Sequence, residues 1–497
     1  MQNIDNNPIK PTFVMAVMPI LLTMGLMMLQ LFVYDDFTPH IPLTIGICIT
    51  AIFGKAWGFG WDQMESGLCR VVAVALPSLG IMLIIGMIIG GWIISGTVPA
   101  LIYYGLKILN PSIFLVAGCL VCSVIFVATG TSWGTIGTVG LALVGIGEGL
   151  GIPMGLTGGA IVSGAFFGDK ISPLSDTTNM APAVCGTDLW SHIKGMLPTT
   201  IPSMTIALIL YGVLGMKYSA GTMEGETVAL ITTNIANSFN LSPLVLLPPL
   251  VVIVLAVKRM PALPSLFVGV LAGGLVALIS QGGAVHDVFN AMQNGFKSNT
   301  GVAAVDTLLS KGGLMSMLWT VSLMMIALAF GGILEKTRCL EVILDKIVLV
   351  ATGRLGIVAA STLSSIGTNT ITGEIYLSIA LPGRMFAPAY RAQGLSITNL
   401  TRSVEDGGTL VAPLIPWNVG GAFTAGTLGI STLAYAPFAF ACWLSPCFDI
   451  LWAATGFFCP EASDEEKQRW IDLKEPVRGQ GDGETTQVFS EVSLEKA

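Results

Sequence analysis

Two carboxylates, a lysine and five hydroxyl or amide side chains fall within twelve residues of this chain: Gly168-Asp169-Lys170-Ile171-Ser172-Pro173-Leu174-Ser175-Asp176-Thr177-Thr178-Asn179. Long apolar runs flank them, 152–167 on one side and 196–214 on the other. Placing an ionisable group at membrane depth costs about 2.5–3.5 kcal/mol on insertion scales, so such groups persist mainly where they carry ions or protons. Oxygen donors without cysteine or histidine suit a sodium ion, and a carboxylate also carries a proton. Asp169, Asp176 and Asn179 are the candidate ligands here, with Lys170 as a candidate counter-charge.

A second polar constellation has the same character. Arg402-Ser403-Val404-Glu405-Asp406-Gly407-Gly408-Thr409 is followed by Ala412-Pro413-Leu414-Ile415-Pro416-Trp417-Asn418. Pro173, Pro413 and Pro416 cannot continue a helix, and they leave carbonyls without donors. Glu405, Asp406 and Asn418 join the candidate ligands, with Arg402 as the second counter-charge. Two further interruptions, Ala128-Thr129-Gly130-Thr131-Ser132-Trp133-Gly134 and Ser364-Ser365-Ile366-Gly367-Thr368-Asn369-Thr370, break hydrophobic runs with glycines and hydroxyls. They suit the tips of re-entrant hairpins, expected near Thr131 and Thr368, where freed carbonyls and hydroxyls face an ion. The expected sodium ligands are Asp176, Asp406, Thr129, Ser132 and Asn418. Asp176 and Asp406 are the expected centre of a shared cation and proton site, with Thr131, Thr368 and Asn369 beside it.

The elements that must position these groups follow from composition. Of 497 residues, 53% are hydrophobic and only 11% charged, and the mean hydropathy is +0.78. Soluble domains carry roughly 25% charged residues, so this is an all-helical polytopic membrane protein. Runs such as 11–33 and 71–94 approach the ~20 apolar residues that cross a bilayer, and about ten to twelve spans are expected on that measure. The 59 glycines and 26 prolines are scattered throughout, which in lipid means close helix approach and helix breaks. The nine cysteines sit mostly within apolar runs and read as small filler. The net charge of −7 comes largely from the tail after Pro460 and offers nothing to a nucleic acid.

The chain also repeats itself. Trp61-Asp62-Gln63-Met64 resembles Phe289-Asn290-Ala291-Met292, Gly90-Gly91 resembles Gly331-Gly332, and Gly130-Thr131-Ser132 resembles Gly367-Thr368-Asn369. Asp169 resembles Asp406 at an offset of 237 residues (406 − 169), and the order of all four matches is kept. The reading divides the chain into an N-terminal segment 1–10, a membrane repeat 11–216, a connector 217–240, a second repeat 241–456 and a polar tail 457–497. The turn Tyr34-Asp35-Asp36-Phe37 is acidic, whereas Lys258-Arg259-Met260 at the matching place is basic. Lys55 and Arg70 mark a cytoplasmic turn, and Lys217, Glu224 and Glu226 mark an external connector. The two halves are therefore expected to be inverted, with both termini cytoplasmic and a site near the midplane built from broken helices.

The runs 164–179, 405–409 and 413–418, together with Leu381-Pro382-Gly383-Arg384-Met385-Phe386, resemble the NhaC family of sodium/proton antiporters over nearly the whole chain. The resemblance implies the hairpin-containing inverted repeats of the ion-transporter superfamily, a bacterial cytoplasmic membrane, a homodimer, and sodium and protons as the transported species with no cofactor. Relatives in that family exchange malate for lactate, so an organic-anion or amino-acid exchanger is the alternative. Glu374 stands where the sodium/proton members suggest a shorter or amide-bearing residue.

Competition gives the mechanism. Desolvation disfavours a charged carboxylate, whereas sodium favours it and a proton removes the charge. A site that closes when neutralised, and poorly when empty and negative, exchanges the two. A channel would call for a continuous polar lining, and an enzyme for a nucleophile–base pair or metal cluster, neither of which is visible. Glu148, Asp188, His192, His40 and His286 read as surface or loop groups, Asp449 as structural, 335–346 as an interfacial helix, and the tail from Glu461 as disordered.

Overall fold

The computed structural model describes residues 8–34, 38–219, 225–258 and 260–472. Residues 35–37, Glu224, Arg259, the side chains of Thr129 and Glu226, and the tail beyond 472 lie outside the described part, and with them much of the charge pattern used to orient the halves. Every regular element among the described residues is helical.

The first half comprises α1 (Phe13–Val33), α2 (His40–Ala56), α3 (Trp61–Ile94), α4 (Thr97–Ile108), α5 (Pro111–Thr129), α6 (Ser132–Thr135), α7 (Leu141–Gly149), α8 (Met154–Ile171), α9 (Asp176–Cys185) and α10 (Leu189–Ser219). After α11 (Gly225–Ser238) come α12 (Leu247–Val257), α13 (Ala262–Ser280), α14 (Val285–Asn294), α15 (Ala303–Leu309), α16 (Leu318–Lys336), α17 (Cys339–Val350), α18 (Gly353–Thr372) and α19 (Ile375–Ala392). The chain closes with α20 (Ile397–Gly407), α21 (Val419–Leu428), α22 (Thr432–Tyr435), α23 (Phe440–Thr455) and α24 (Asp464–Asp472).

Part of the helix order recurs along the chain, although α8 has 18 residues and α20 only 11. The succession α4, α5, α8, α9 is matched by α17, α18, α20, α21, and in each series a short helix follows a break. The single 34-residue α3 has no unbroken counterpart; α14, α15 and α16 divide the matching stretch.

Among the described residues five helices are long and apolar enough to span a bilayer, or up to seven if each sharply bent pair counts as one span. This is fewer than the ten to twelve read from apolar runs. Several of those runs are interrupted by polar breaks, as between α5 and α6 and between α8 and α9. The protein is a multi-pass membrane protein whose outward-facing leucines, valines and isoleucines on α1, α3, α10 and α13 match a lipid solvent.

Two packing groups stand out. In one, α3 lies along α13, α14 and α16; in the other, α5 lies on α8 and α10, α18 on α19 and α20, and α10 on α23. The segment after α23, expected to be disordered, is ordered to residue 472. Trp470 is buried, the Pro460 carbonyl accepts from Ser396 N (3.1 Å) and Asn399 Nδ2 (2.8 Å), and Glu466 accepts from Ile397 N at 2.8 Å. The last contact satisfies a donor at the start of α20 that no helix carbonyl can reach.

Candidate functional site

The two hairpin breaks have the same backbone design. α5 ends on Gly130 at φ +73°, after which Thr131 is extended and caps α6, its hydroxyl 3.5 Å from Gly134 N. α18 ends on Gly373 at φ +66°, after which Glu374 is extended and caps α19, its carboxylate 2.6 Å from Leu377 N. Left-handed backbone at both positions favours glycine, and at Gly130 a Cβ would also lie 2.5 Å from the Leu174 Cβ. Residue 130 is thereby pressed against the polar loop after α8.

The first break lies where the sequence puts it. The second does not: α18 runs through Thr368 and Asn369 and stops at Gly373. Hydroxyls next to the expected tip return to the preceding turn, Thr370 to the Ile366 carbonyl and Thr372 to the Thr368 carbonyl, both at 2.8 Å. They satisfy the helix rather than a ligand.

A second pair of breaks lies against the first. α8 ends in Asp169 and Lys170, and a loop at Ser172–Ser175 leads to α9, which begins at Asp176. α20 ends beyond Glu405 and Asp406, and an irregular stretch leads to Asn418, the cap of α21, whose side chain accepts from Gly420 N at 2.9 Å. Amides hold both loops. Asn179 Nδ2 donates to the carbonyls of Pro173 (2.9 Å) and Ser175 (2.7 Å). Asn369 Nδ2 donates to the Gly408 carbonyl (2.6 Å), and Asn418 Nδ2 to Asn369 Oδ1 (2.6 Å). Asn179, Asn369 and Asn418 thus use their polar groups to fix the unwound backbone.

Between the breaks lies a cavity of about 30 Å³. Three carboxyl groups line it, Asp169, Asp176 and Glu374, together with the hydroxyls of Ser78, Thr131, Ser132, Thr177, Tyr376 and Thr409. Asp169 Oδ1 accepts from Ser175 Oγ at 2.8 Å, and Tyr376 lines the cavity together with Asp176. Behind Thr409, which donates to Glu405 Oε2, the buried Glu405 keeps Oε1 without a hydrogen-bond partner among the described residues. Among the described residues no three acidic, histidine or cysteine side chains converge as a metal chelate would require, so the acids surround the space without forming a tight cage.

Asp406 and the two cations lie elsewhere. Lys170 Nζ is ion-paired to Asp406 with neither side chain exposed, and it also donates to Thr199 Oγ1 (2.9 Å) and Ser445 Oγ (2.7 Å). Arg402 Nε donates to Asp449 Oδ1 at 2.7 Å, and Ser403 and Thr362 donate to Asp449 Oδ2 at 2.7 and 2.8 Å. Both sequence-derived counter-charges are therefore buried and matched one-to-one with acids. Thr368 is buried in α18 away from the cavity lining, and the Thr129 side chain is outside the described part. His192, expected in a solvated loop, is fully buried on the first turn of α10, with neither ring nitrogen hydrogen-bonded among the described residues.

Residues 164–457, which hold all of these breaks except the one at Gly130, match the model of the Na+/H+ antiporter family. The chain belongs to this family. It is 43% identical to the Na(+)/H(+) antiporter NhaC of Alkalihalophilus pseudofirmus, over 84% of this chain and 90% of the relative. It is 39% identical to the arginine/ornithine antiporter ArcD of Halobacterium salinarum, over 92% of this chain and 96% of that protein. It is 38% identical to NhaC of Bacillus subtilis, over 83% and 91%. Relatives matched over nearly their full length are thus named for different cargoes, which places weight on the residues lining the cavity. Of these, Ser78, Thr177, Tyr376 and Thr409 escaped the search for candidate ligands. Glu374 had a signal in the repeated pattern Thr-Gly followed by a capping residue, at 129–131 and 372–374.

Proposed function

We propose that this antiporter-family member exchanges sodium for protons across the bacterial cytoplasmic membrane by alternating access, with no cofactor, both termini cytoplasmic and a homodimeric assembly. The observation that carries the reading is the small acid-lined cavity between the helix breaks. Its volume of about 30 Å³ matches one water-sized occupant, since a water needs at least about 10–15 Å³ of such space. A largely dehydrated sodium ion meets that limit. The cargo site is centred on Asp169 and Asp176, with Ser132 and Thr131 as neutral oxygen donors. Glu405 and Thr409 stand behind them, and Asn179, Asn369 and Asn418 act by holding the loops.

Charge balance drives the cycle. With the acids ionised and no cation bound, closing the cavity would bury uncompensated negative charge, which is costly. A sodium ion neutralises one carboxylate by binding, and a proton neutralises it by covalent attachment. Either loaded state closes, and the empty charged state does not. Opposite gradients of the two cations are thereby coupled.

The arginine/ornithine relative supports a second reading, in which an amino acid is the cargo, and the malate/lactate exchangers of the family extend it to a small organic anion. A cavity of about 30 Å³ does not accommodate such a molecule in this conformation, which favours the simple exchange. The test is purified protein in liposomes, with internal pH followed while sodium, potassium, malate, lactate, arginine or ornithine is offered. Sodium-dependent proton flux without organic solute is the expected result. Flux that appears only with an organic solute would replace simple exchange with the second reading.

A further inference from the structure

We infer that Ser78 is a cargo-contacting residue and that α3 supplies the wall of the cavity that completes the cation's oxygen shell. The inference rests on the sodium/proton reading above and assigns a ligand that neither the broken helices nor the family motifs contain. Ser78 lies on α3, the longest helix of the chain, and every other residue lining the cavity comes from α6, α8, α9, α19, α21 or the stretches next to them. It belongs to the packing group of α13, α14 and α16, none of which reaches the cavity.

Its hydroxyl is uncommitted. Serine and threonine in apolar helices as a rule return their proton to the carbonyl one turn back. Thr50 does so to Gly46, Ser123 to Cys119 and Ser265 to Pro261, at 2.7, 2.9 and 2.9 Å. Ser78 makes no such bond among the described residues, although it is half-buried and faces the carboxyl groups. Pro77 immediately precedes it and removes the N–H that would close the turn back to Ala73. A proline beside an uncommitted hydroxyl, on the otherwise apolar stretch 71–94 of that helix and at the point where it meets three carboxyl groups, is a design for contacting a cation. Because α3 and the broken helices belong to different packing groups, a rearrangement of one against the other makes or breaks this contact. The Ser78 ligand therefore belongs to one access state and tunes cation affinity in that state.

The test uses the full-length protein in liposomes. A ligand oxygen worth about 0.5–1.5 kcal/mol corresponds to a shift of about two- to ten-fold. Ser78→Ala should raise the half-saturating sodium concentration by that factor while leaving the maximal rate within about two-fold, and Ser78→Thr, which keeps the hydroxyl, should restore it. A merely structural serine would not produce this split, so an unchanged half-saturating concentration in Ser78→Ala overturns the inference. Ser78→Cys supplies a measurement that does not depend on exchange. A positively charged methanethiosulfonate reagent should label it more slowly in sodium than in an equal concentration of choline, with the native protein as the background for its other cysteines. Equal labelling in both overturns the inference. Absence of sodium-dependent proton flux in the native protein, with protection of the cysteine retained, would instead remove the exchange reading and leave Ser78 as a cation contact.

Discussion

Lys170 and Asp406, one from each half of the chain, form an ion pair in which neither side chain is exposed. The pair joins the end of α8 to the end of α20, the two helices that carry the acids, and Ser445 on α23 donates to the same Asp406 oxygen at 2.7 Å. Each of these charges is acceptable in the interior only because the other is present. Removing one partner of a buried pair costs about 3–5 kcal/mol, whereas replacing both with apolar groups is often tolerated.

Asp406→Asn is therefore expected to lower the yield of folded protein in detergent, and Lys170→Met alone to do the same. The double substitution Lys170→Met with Asp406→Asn should recover much of the yield, as judged by size-exclusion chromatography and thermal unfolding. A single Asp406→Asn protein as stable as the native one would show that the ion pair contributes little to assembly.

Asp176 stands in a different position. It opens into the cavity at the start of α9 beside Tyr376, and among the described residues it has no ion-pair partner. Asp176→Asn preserves the shape of the helix start and leaves no unpaired charge, so expression and thermal stability should be near native. Exchange should be abolished, because an amide neither takes up nor releases a proton at neutral pH. Native sodium-driven pH change in the reconstituted variant would exclude Asp176 from the cargo site.

Glu374 combines two jobs that a pair of substitutions can separate. Its carboxylate caps α19 and also lines the cavity. Glu374→Gln keeps an acceptor for the Leu377 N–H, so stability should hold while the apparent sodium affinity falls. Glu374→Ala removes the cap as well and should cost a further ~1 kcal/mol of stability. Equal sodium affinity in Glu374→Gln and the native protein would leave the residue with its capping role alone.

The sequence made the helical class and the first hairpin break legible because both rest on strong local signals: uninterrupted apolar runs, and a glycine among hydroxyls at 129–132. It misplaced the second break because Gly367-Thr368-Asn369 resembles Gly130-Thr131-Ser132 by residue type, whereas the backbone equivalence lies at Gly373-Glu374. Hydroxyls inside a helix and hydroxyls at a break look alike in a sequence; the left-handed glycine followed by a capping side chain distinguishes them. The pairing of Asp176 with Asp406 failed for a related reason. Acids on two neighbouring helix breaks need not face one space, and the structure puts Asp176 with Asp169 and Glu374 while Asp406 turns to Lys170. His192 and the docked segment at 458–470 depend on tertiary burial between elements far apart in the chain, for which no local pattern exists.

The last prediction concerns pH and the start of α10. Asp188 precedes this helix, outside the membrane span, and its Oδ1 accepts from the backbone N–H groups of Trp190 (3.1 Å) and Ser191 (3.0 Å). The N–H of Ser191 is the main cause that holds the Asp188 carboxyl below the ordinary carboxylate range. The folded-state value is thus depressed relative to the unfolded chain. The stabilisation is therefore fully present above the unfolded-state value near pH 4, and is lost as pH falls through the lower folded-state value. Asp188→Ala should cost about 0.5–2 kcal/mol at neutral pH, in the range for loss of an N-cap, and Asp188→Asn, which keeps an acceptor, should cost less. Thermal unfolding of the detergent-solubilised protein as a function of pH checks this. The gap between native and Asp188→Ala should narrow in acid below the ordinary carboxylate range, and a gap that stayed constant across that interval would show that Asp188 stabilises α10 without its charge.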